Sequence, residues 1–154
     1  MGLNHEFYLV PFETDILNNN DWKNESKYLA SKVVIDDVII QYIYDTLEWI
    51  PSYTPSYKGL QSSLGLNYHG RTIFNKEAYS HLKGILSSWK NLFEYAPPTF
   101  KLTGEYIEGE GLDDIGDYEQ LTIDKNKVVT EFNQLLKLVE NINTKNFILY
   151  HEGI

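Results

Sequence analysis

The sequence predicts an α+β domain, a mostly antiparallel sheet of about four to five strands packed against three helices. Three observations lead there. Apolar residues recur at three- and four-residue spacing in three separate stretches, each with its own stop signal. Short aromatic or β-branched runs stand between and around those stretches. The resulting order is strand, helix, possible strand, helix, two strands, helix, strand, a mixture that packs helices on one antiparallel sheet rather than alternating strictly as a parallel one does.

Residues 6–12 are aromatic and almost continuously apolar, which suits a buried strand ended by Pro11. The polar stretch 13–27, with Asn at 18–20, is expected to be a surface loop or a short weak helix. A helix is expected over 36–50. Val38, Ile39, Tyr42, Ile43, Thr46, Leu47 and Ile50 share one face, Asp36 and Asp37 sit at the positive end of its dipole, and Pro51 ends it. Residues 51–75 carry Pro, Gly, Ser and Asn in turn-forming combinations and are expected to be irregular, apart from a possible strand at 71–74.

The second helix follows Asn75 as cap and stops at Pro97-Pro98, with Ala78, Tyr79, Leu82, Ile85, Leu86, Trp89, Leu92 and Phe93 as its apolar face. Gly84 lowers its stability by about 1 kcal/mol relative to Ala, so a close approach by another backbone is expected there. Residues 99–107 alternate as a strand, 120–123 form its hairpin partner, and the acidic span 108–119 joins them. Asp124 caps the third helix through Val128, Phe132, Leu135, Leu136 and Val139, and 146–150 is a closing strand before a short tail at 151–154.

The chain of 154 residues is expected to be a single domain, 1–154. Thirteen Lys and Arg against 22 Asp and Glu give a net charge of -9, which argues against nucleic acid as a partner, because phosphate contacts need clustered bases. With no Cys there is no disulfide scaffold, thiolate metal site or Cys nucleophile. Residues 1–6 do not read as a secretory signal, so none is expected, and the longest apolar cluster, 33–43, is interrupted by Asp36, Asp37 and Gln41. A cytoplasmic protein without a membrane partner is the expectation. No residue pattern implies a cofactor or a resident metal.

The strongest polar feature lies at 105–119, where Glu105, Glu108, Glu110, Asp113, Asp114, Asp117 and Glu119 occur with no base among them. Such a run is either a solvated loop or a negative surface that steers a basic partner. Its spacing does not match a calcium-binding EF-hand loop. Tyr53, Tyr57 and Tyr68 fall in the irregular middle and are candidates for a binding surface, since Tyr offers large contact area at low entropy cost. Their number also reflects a chain that is simply rich in Tyr. His69 and Arg71 could serve acid–base chemistry beside a developing anion, although a local pair in a Gly-bounded loop is weak evidence for it. His5, His69, His81 and His151 show no metal-ligand spacing, and no catalytic signature occurs.

Several stretches together resemble the immunity proteins encoded beside bacterial polymorphic toxins. They are Met1-Gly2-Leu3 before an aromatic strand, the segment Gly65-Leu66-Asn67-Tyr68-His69-Gly70-Arg71-Thr72, Trp89-Lys90-Asn91-Leu92-Phe93, Leu102-Thr103-Gly104-Glu105, and the terminal His151-Glu152-Gly153-Ile154. The resemblance implies a non-catalytic protein that binds and neutralises a cognate toxin domain, often a nuclease. On that reading the contact surface is the acidic span with the tyrosines of 53–68. The alternatives are another protein-binding module, phage-encoded or regulatory, and a small enzyme using His69 and Arg71.

Overall fold

The computed structural model describes residues 2–18 and 20–154. Met1 of the opening segment and Asn19 of the Asn run at 18–20 lie outside the described residues. The elements in order are β1 (Asn4–Pro11), a 3-10 turn (Asp21–Asn24), α1 (Ser26–Leu29), β2 (Lys32–Asp36), α2 (Asp37–Leu47), β3 (Pro51–Ser56), β4 (Gly59–Leu64) and β5 (Arg71–Phe74). A second 3-10 turn (Lys76–Ala78), α3 (Tyr79–Glu94), β6 (Thr99–Ile107), β7 (Asp117–Asp124), α4 (Lys125–Asn141) and β8 (Phe147–Glu152) complete the chain.

The fold is α+β and antiparallel, as expected, but the strand count was too low. Six strands form one sheet in the order β2-β1-β8-β5-β3-β4, and β6 with β7 forms a separate ribbon. Three strands, β2, β3 and β4, go beyond the expectation. β2 runs straight into α2, so its Val33 and Ile35 merge with the helical apolar run in the sequence. Asp36 ends the strand and starts the helix by accepting the Val38 N–H at 3.0 Å. β3 and β4 form a tight hairpin where an irregular segment was expected, with Ser56 paired to Gly59. Gly59 takes φ +102°, which a side chain would oppose.

The three long helices lie on one face of the sheet. Leu82, Leu86 and Phe93 of α3 and Val128, Phe132, Leu135 and Val139 of α4 are buried with Ile39, Ile40, Ile43 and Leu47 of α2 against Phe7, Phe74 and Leu149 of the sheet. The α2 face is rotated from the expected one. Ile39, Ile40, Ile43 and Leu47 are buried and Tyr42 is exposed, and the helix spans Asp37–Leu47 rather than reaching Ile50. Leu92, expected inside, is exposed. The caps behave as read. Asp124 accepts the Lys127 N–H at 3.0 Å, and Asn75 accepts the Glu77 N–H at 2.9 Å at the turn that leads into α3.

The opposite face is covered by residues 12–18 and 20–31, which include the short helical pieces and do more than form a surface loop. Ile16, Trp22 and Tyr28 are buried against Tyr8, Val10, Ile73, Ile148 and Tyr150. Trp22 meets Tyr8, Tyr28 and Tyr150 edge-on, with ring centroids 4.9 to 5.5 Å apart.

Gly84 does not mark a close backbone approach. A Cβ placed there would meet nothing within 4 Å. Gly84→Ala should therefore raise stability by about 0.5–1 kcal/mol in urea unfolding, because it restores helix propensity without a clash. Phe132→Ala, in contrast, should lower stability by about 3–5 kcal/mol in the same assay, since the ring is fully enclosed and the site cannot collapse around the loss.

Candidate functional site

The β6–β7 ribbon is anchored at one end and free at the other. Leu102 and Ile123 are buried among the helices, and Phe93 stacks between Phe100 of β6 and Phe132 of α4 at 5.7 and 5.9 Å. Past an irregularity in register between Thr103 and Tyr106 the ribbon leaves the core. Tyr106 faces Tyr118 across the strands, with ring centroids 5.3 Å apart, yet both are exposed, as is Ile107. β7 starts at Asp117, so the connecting loop is 108–116, shorter than the expected span.

The loop has a defined shape. The Asp114 carboxylate accepts the Glu110 N–H at 3.0 Å, and the Asp114 N–H bonds Gly111 O at 3.2 Å. Gly109 and Gly116 are needed for close backbone passage, because a Cβ at either would fall 2.1 Å from Asp114 O or 2.3 Å from Ile107 O. At its tip Leu112 and Ile115 stand in solvent, Ile115 at 90% exposure. All seven acids of 105–119 are exposed, and none joins a salt bridge among the described residues. Seven unneutralised carboxylates and five exposed large apolar side chains thus share one arm. The apolar half of that combination was not part of the sequence reading, although Leu112 and Ile115 inside an acidic run were a readable signal.

The three tyrosines do not gather on this arm. Tyr53 packs on the opposite face of the main sheet and donates to Glu77 Oε2 at 3.0 Å. Tyr57 stands at the β3–β4 turn, 93% exposed, with the Lys58 ammonium 5.5 Å from its ring centroid. Only Tyr68 senses the ribbon. Burial, its hydrogen bond to Asp37, and the charges of Asp37 and Glu105 push its phenol well above the usual value. His69 is exposed and packs edge-on to Tyr68 at 4.9 Å, while the Arg71 guanidinium donates to Ile16 O at 3.4 Å. The two side chains are thus engaged with different neighbours.

A buried polar chain escaped the sequence entirely. His5 on β1 and His151 on β8 are fully buried, although His151 had been placed in a terminal tail. His5 Nε2–H donates to Asp37 Oδ1 at 3.0 Å, and the Tyr68 hydroxyl donates to the same oxygen. His5 Nδ1 is then an acceptor, so His151 Nε2–H donates to it at 2.9 Å. His151 Nδ1 accepts from the Thr72 hydroxyl at 3.3 Å, and Thr72 Oγ1 accepts the Asn67 N–H at 2.8 Å. With both rings neutral, each proton in the chain then has one place.

The groove between α2 and α3, about 310 Å³, is lined by Thr46, Trp49, Gly84, Ile85, Ser88, Trp89 and Leu92 and carries no charge. No group of three or more His, Asp or Glu able to hold a metal occurs among the described residues, and no helix among them is long and apolar enough to cross a membrane.

Burial lowers the pKa of both histidines from the ordinary 6.5. Asp37 opposes the shift at His5, and His5 reinforces it at His151, which is held well below that value. Unfolding frees both to take up protons near 6.5. Stability should therefore be complete above that pH and fall as the pH drops below it, by about 1.4 kcal/mol per pH unit for each ring that stays neutral in the folded state. Urea unfolding at pH 7.5 and 5.5 should show this loss in the natural chain. It should show a clearly smaller loss in the double variant His5→Gln, His151→Gln.

Comparison of the chain with protein-family models, with curated proteins and with solved structures finds no match, so a functional reading rests on the chemistry of these surfaces.

Proposed function

We propose that this chain is a non-catalytic immunity protein that neutralises a cognate toxin domain of basic surface, docking on it through the free end of the β6–β7 ribbon. The observation that carries the reading is the coincidence, on one preshaped arm, of seven exposed unpaired acids with Tyr106, Ile107, Leu112, Ile115 and Tyr118. Charge alone speeds encounter but gives little lasting affinity, whereas desolvated aromatic and aliphatic anchors slow release. An arm holding both has the parts of a complete contact surface. A two-stranded ribbon with both faces in water is marginal by itself, so its free half gains stability from a partner. The loop hydrogen bonds and close-packed glycines reduce the ordering that binding would cost. On this reading the chain acts in the cytoplasm and needs no cofactor.

Co-purification with the product of the neighbouring gene, and rescue of growth when that product is expressed, test the reading directly. Absence of both would end it. With the partner in hand, Asp113→Asn, Asp114→Asn and Asp117→Asn together should slow association roughly tenfold at low salt and flatten its salt dependence, as followed by stopped flow. Leu112→Ala with Ile115→Ala should leave association nearly unchanged and speed dissociation roughly tenfold or more. Thermal unfolding of both variants should match the natural chain, because none of these side chains enters the core.

A further inference from the structure

The two edges of the six-stranded sheet are built differently. β2 is short, carries Lys32 and Asp36 at its ends and runs straight into a helix. Lys32 is paired with Glu6 at 2.6 Å, and Lys127 of α4 reaches Asp36 at 3.5 Å. That is a guarded edge. β4 reads Gly59-Leu60-Gln61-Ser62-Ser63-Leu64, with no charge, no proline and an unbroken register to β3. Five of its six residues are exposed. In a chain of net charge -9, an open and wholly neutral edge calls for an explanation.

The backbone shows which groups are free. Gly65 N–H bonds Ile50 O at 2.7 Å, so by alternation Ser63, Gln61 and Gly59 turn their amides toward β3. Leu60, Ser62 and Leu64 turn theirs outward. The same three side chains lie on one face of the sheet, since Ser62 is opposite Tyr53, Leu60 opposite Pro55 and Leu64 opposite Pro51. Leu60 borders a small cavity beside Phe12 and Leu17 yet is 47% exposed, and Leu64 is 67% exposed.

We propose that β4 is the docking edge for a second copy of this chain, joined antiparallel about a twofold axis through Ser62. With the axis perpendicular to the sheet, residues opposite each other must share a face. A centre at Ser62 satisfies that condition. Ser62 then meets Ser62, and Leu60 of each copy meets Leu64 of the other. All of these are outward-bonding positions, so the free amides and carbonyls of both edges are satisfied together. Both leucines gain a cross-strand apolar neighbour. Gly59 falls opposite Gly65, whose backbone passes so close to Glu48 that a Cβ would lie 2.8 Å from Glu48 Cα. Lys58, which has no ion pair among the described residues and lies over the Tyr57 ring, is thereby brought to the Glu48 corner of the second copy. The contact is self-complementary in backbone, side chain and charge. A foreign strand would need none of that symmetry.

Analytical ultracentrifugation over a range reaching several hundred micromolar should show a reversible dimer of the 17.9 kDa chain. Ser62→Glu sets two carboxylates against each other at the axis and removes no internal hydrogen bond. It should weaken association roughly tenfold or more while the thermal midpoint stays put. The chain has no other cysteine, so Ser62→Cys gives a single thiol at the axis. Hydrogen-bonded antiparallel pairs place their Cα atoms about 5.5 Å apart, within disulfide span. Mild oxidation should therefore cross-link this variant much faster than Ser88→Cys, an exposed control on α3. A monomer at every concentration, a dimer indifferent to Ser62→Glu, or equal cross-linking of the two cysteine variants would each overturn the proposal.

Discussion

The fold depends on the entry of the last strand into the middle of the sheet. β8 lies between β1 and β5, antiparallel to both, and presents Leu149 to the helices and Tyr150 to the aromatic cluster, each with no exposed surface. Without it the sheet divides into β2-β1 and β5-β3-β4, and neither layer has a complete platform to pack on. Because β8 is the final element and β1 the first, this contact closes almost the whole chain as a loop. Closure of that kind costs entropy before it gains contacts, which makes the fold slow to assemble and its completion cooperative.

The histidine chain lies at this same junction. His5 and His151 meet because β1 and β8 pair, and Asp37 reaches His5 because β2 pairs β1 and turns into α2. A row of directional hydrogen bonds with one consistent proton arrangement fits only the native register, so it penalises a slipped pairing of β8 more sharply than an apolar contact would. Burial of both rings at this junction is also what makes it sensitive to acid.

What the sequence showed depended on whether the signal was local. Periodicity located α3 and α4 closely, and Asp124 and Asn75 cap where their positions implied. β2 was hidden because Val33 and Ile35 abut a helical apolar run without punctuation. β3 was hidden because Pro51 and Pro55 read as turn residues. Both prolines sit at positions whose amides would face β5, and β3 bonds β5 only around Tyr53 and Ile73, so the sheet tolerates them. His5 and His151 are 146 residues apart, and no spacing rule joins them. The acidic run is visible, and Leu112 and Ile115 within it are a readable signal, but its division into a loop with two flanking strands is not, because that depends on pairing across the ribbon.

The distribution of charge separates the two exposed backbone features of the molecule. The ribbon's free end concentrates seven of the chain's 22 acids around apolar side chains, whereas β4 has no charge at all. Two copies brought ribbon to ribbon would repel, and a basic partner brought to β4 would find no field to guide it. On the proposed readings, like-charge repulsion at one surface and neutrality at the other would direct different partners to different places. Neither surface draws on the core: the ribbon is anchored only through Phe100, Leu102, Leu121 and Ile123, and the outward amides of β4 take no part in the sheet. Substitutions at either can change recognition without loss of the fold. If the proposed function holds, that independence lets the surface follow a changing partner while the core stays fixed.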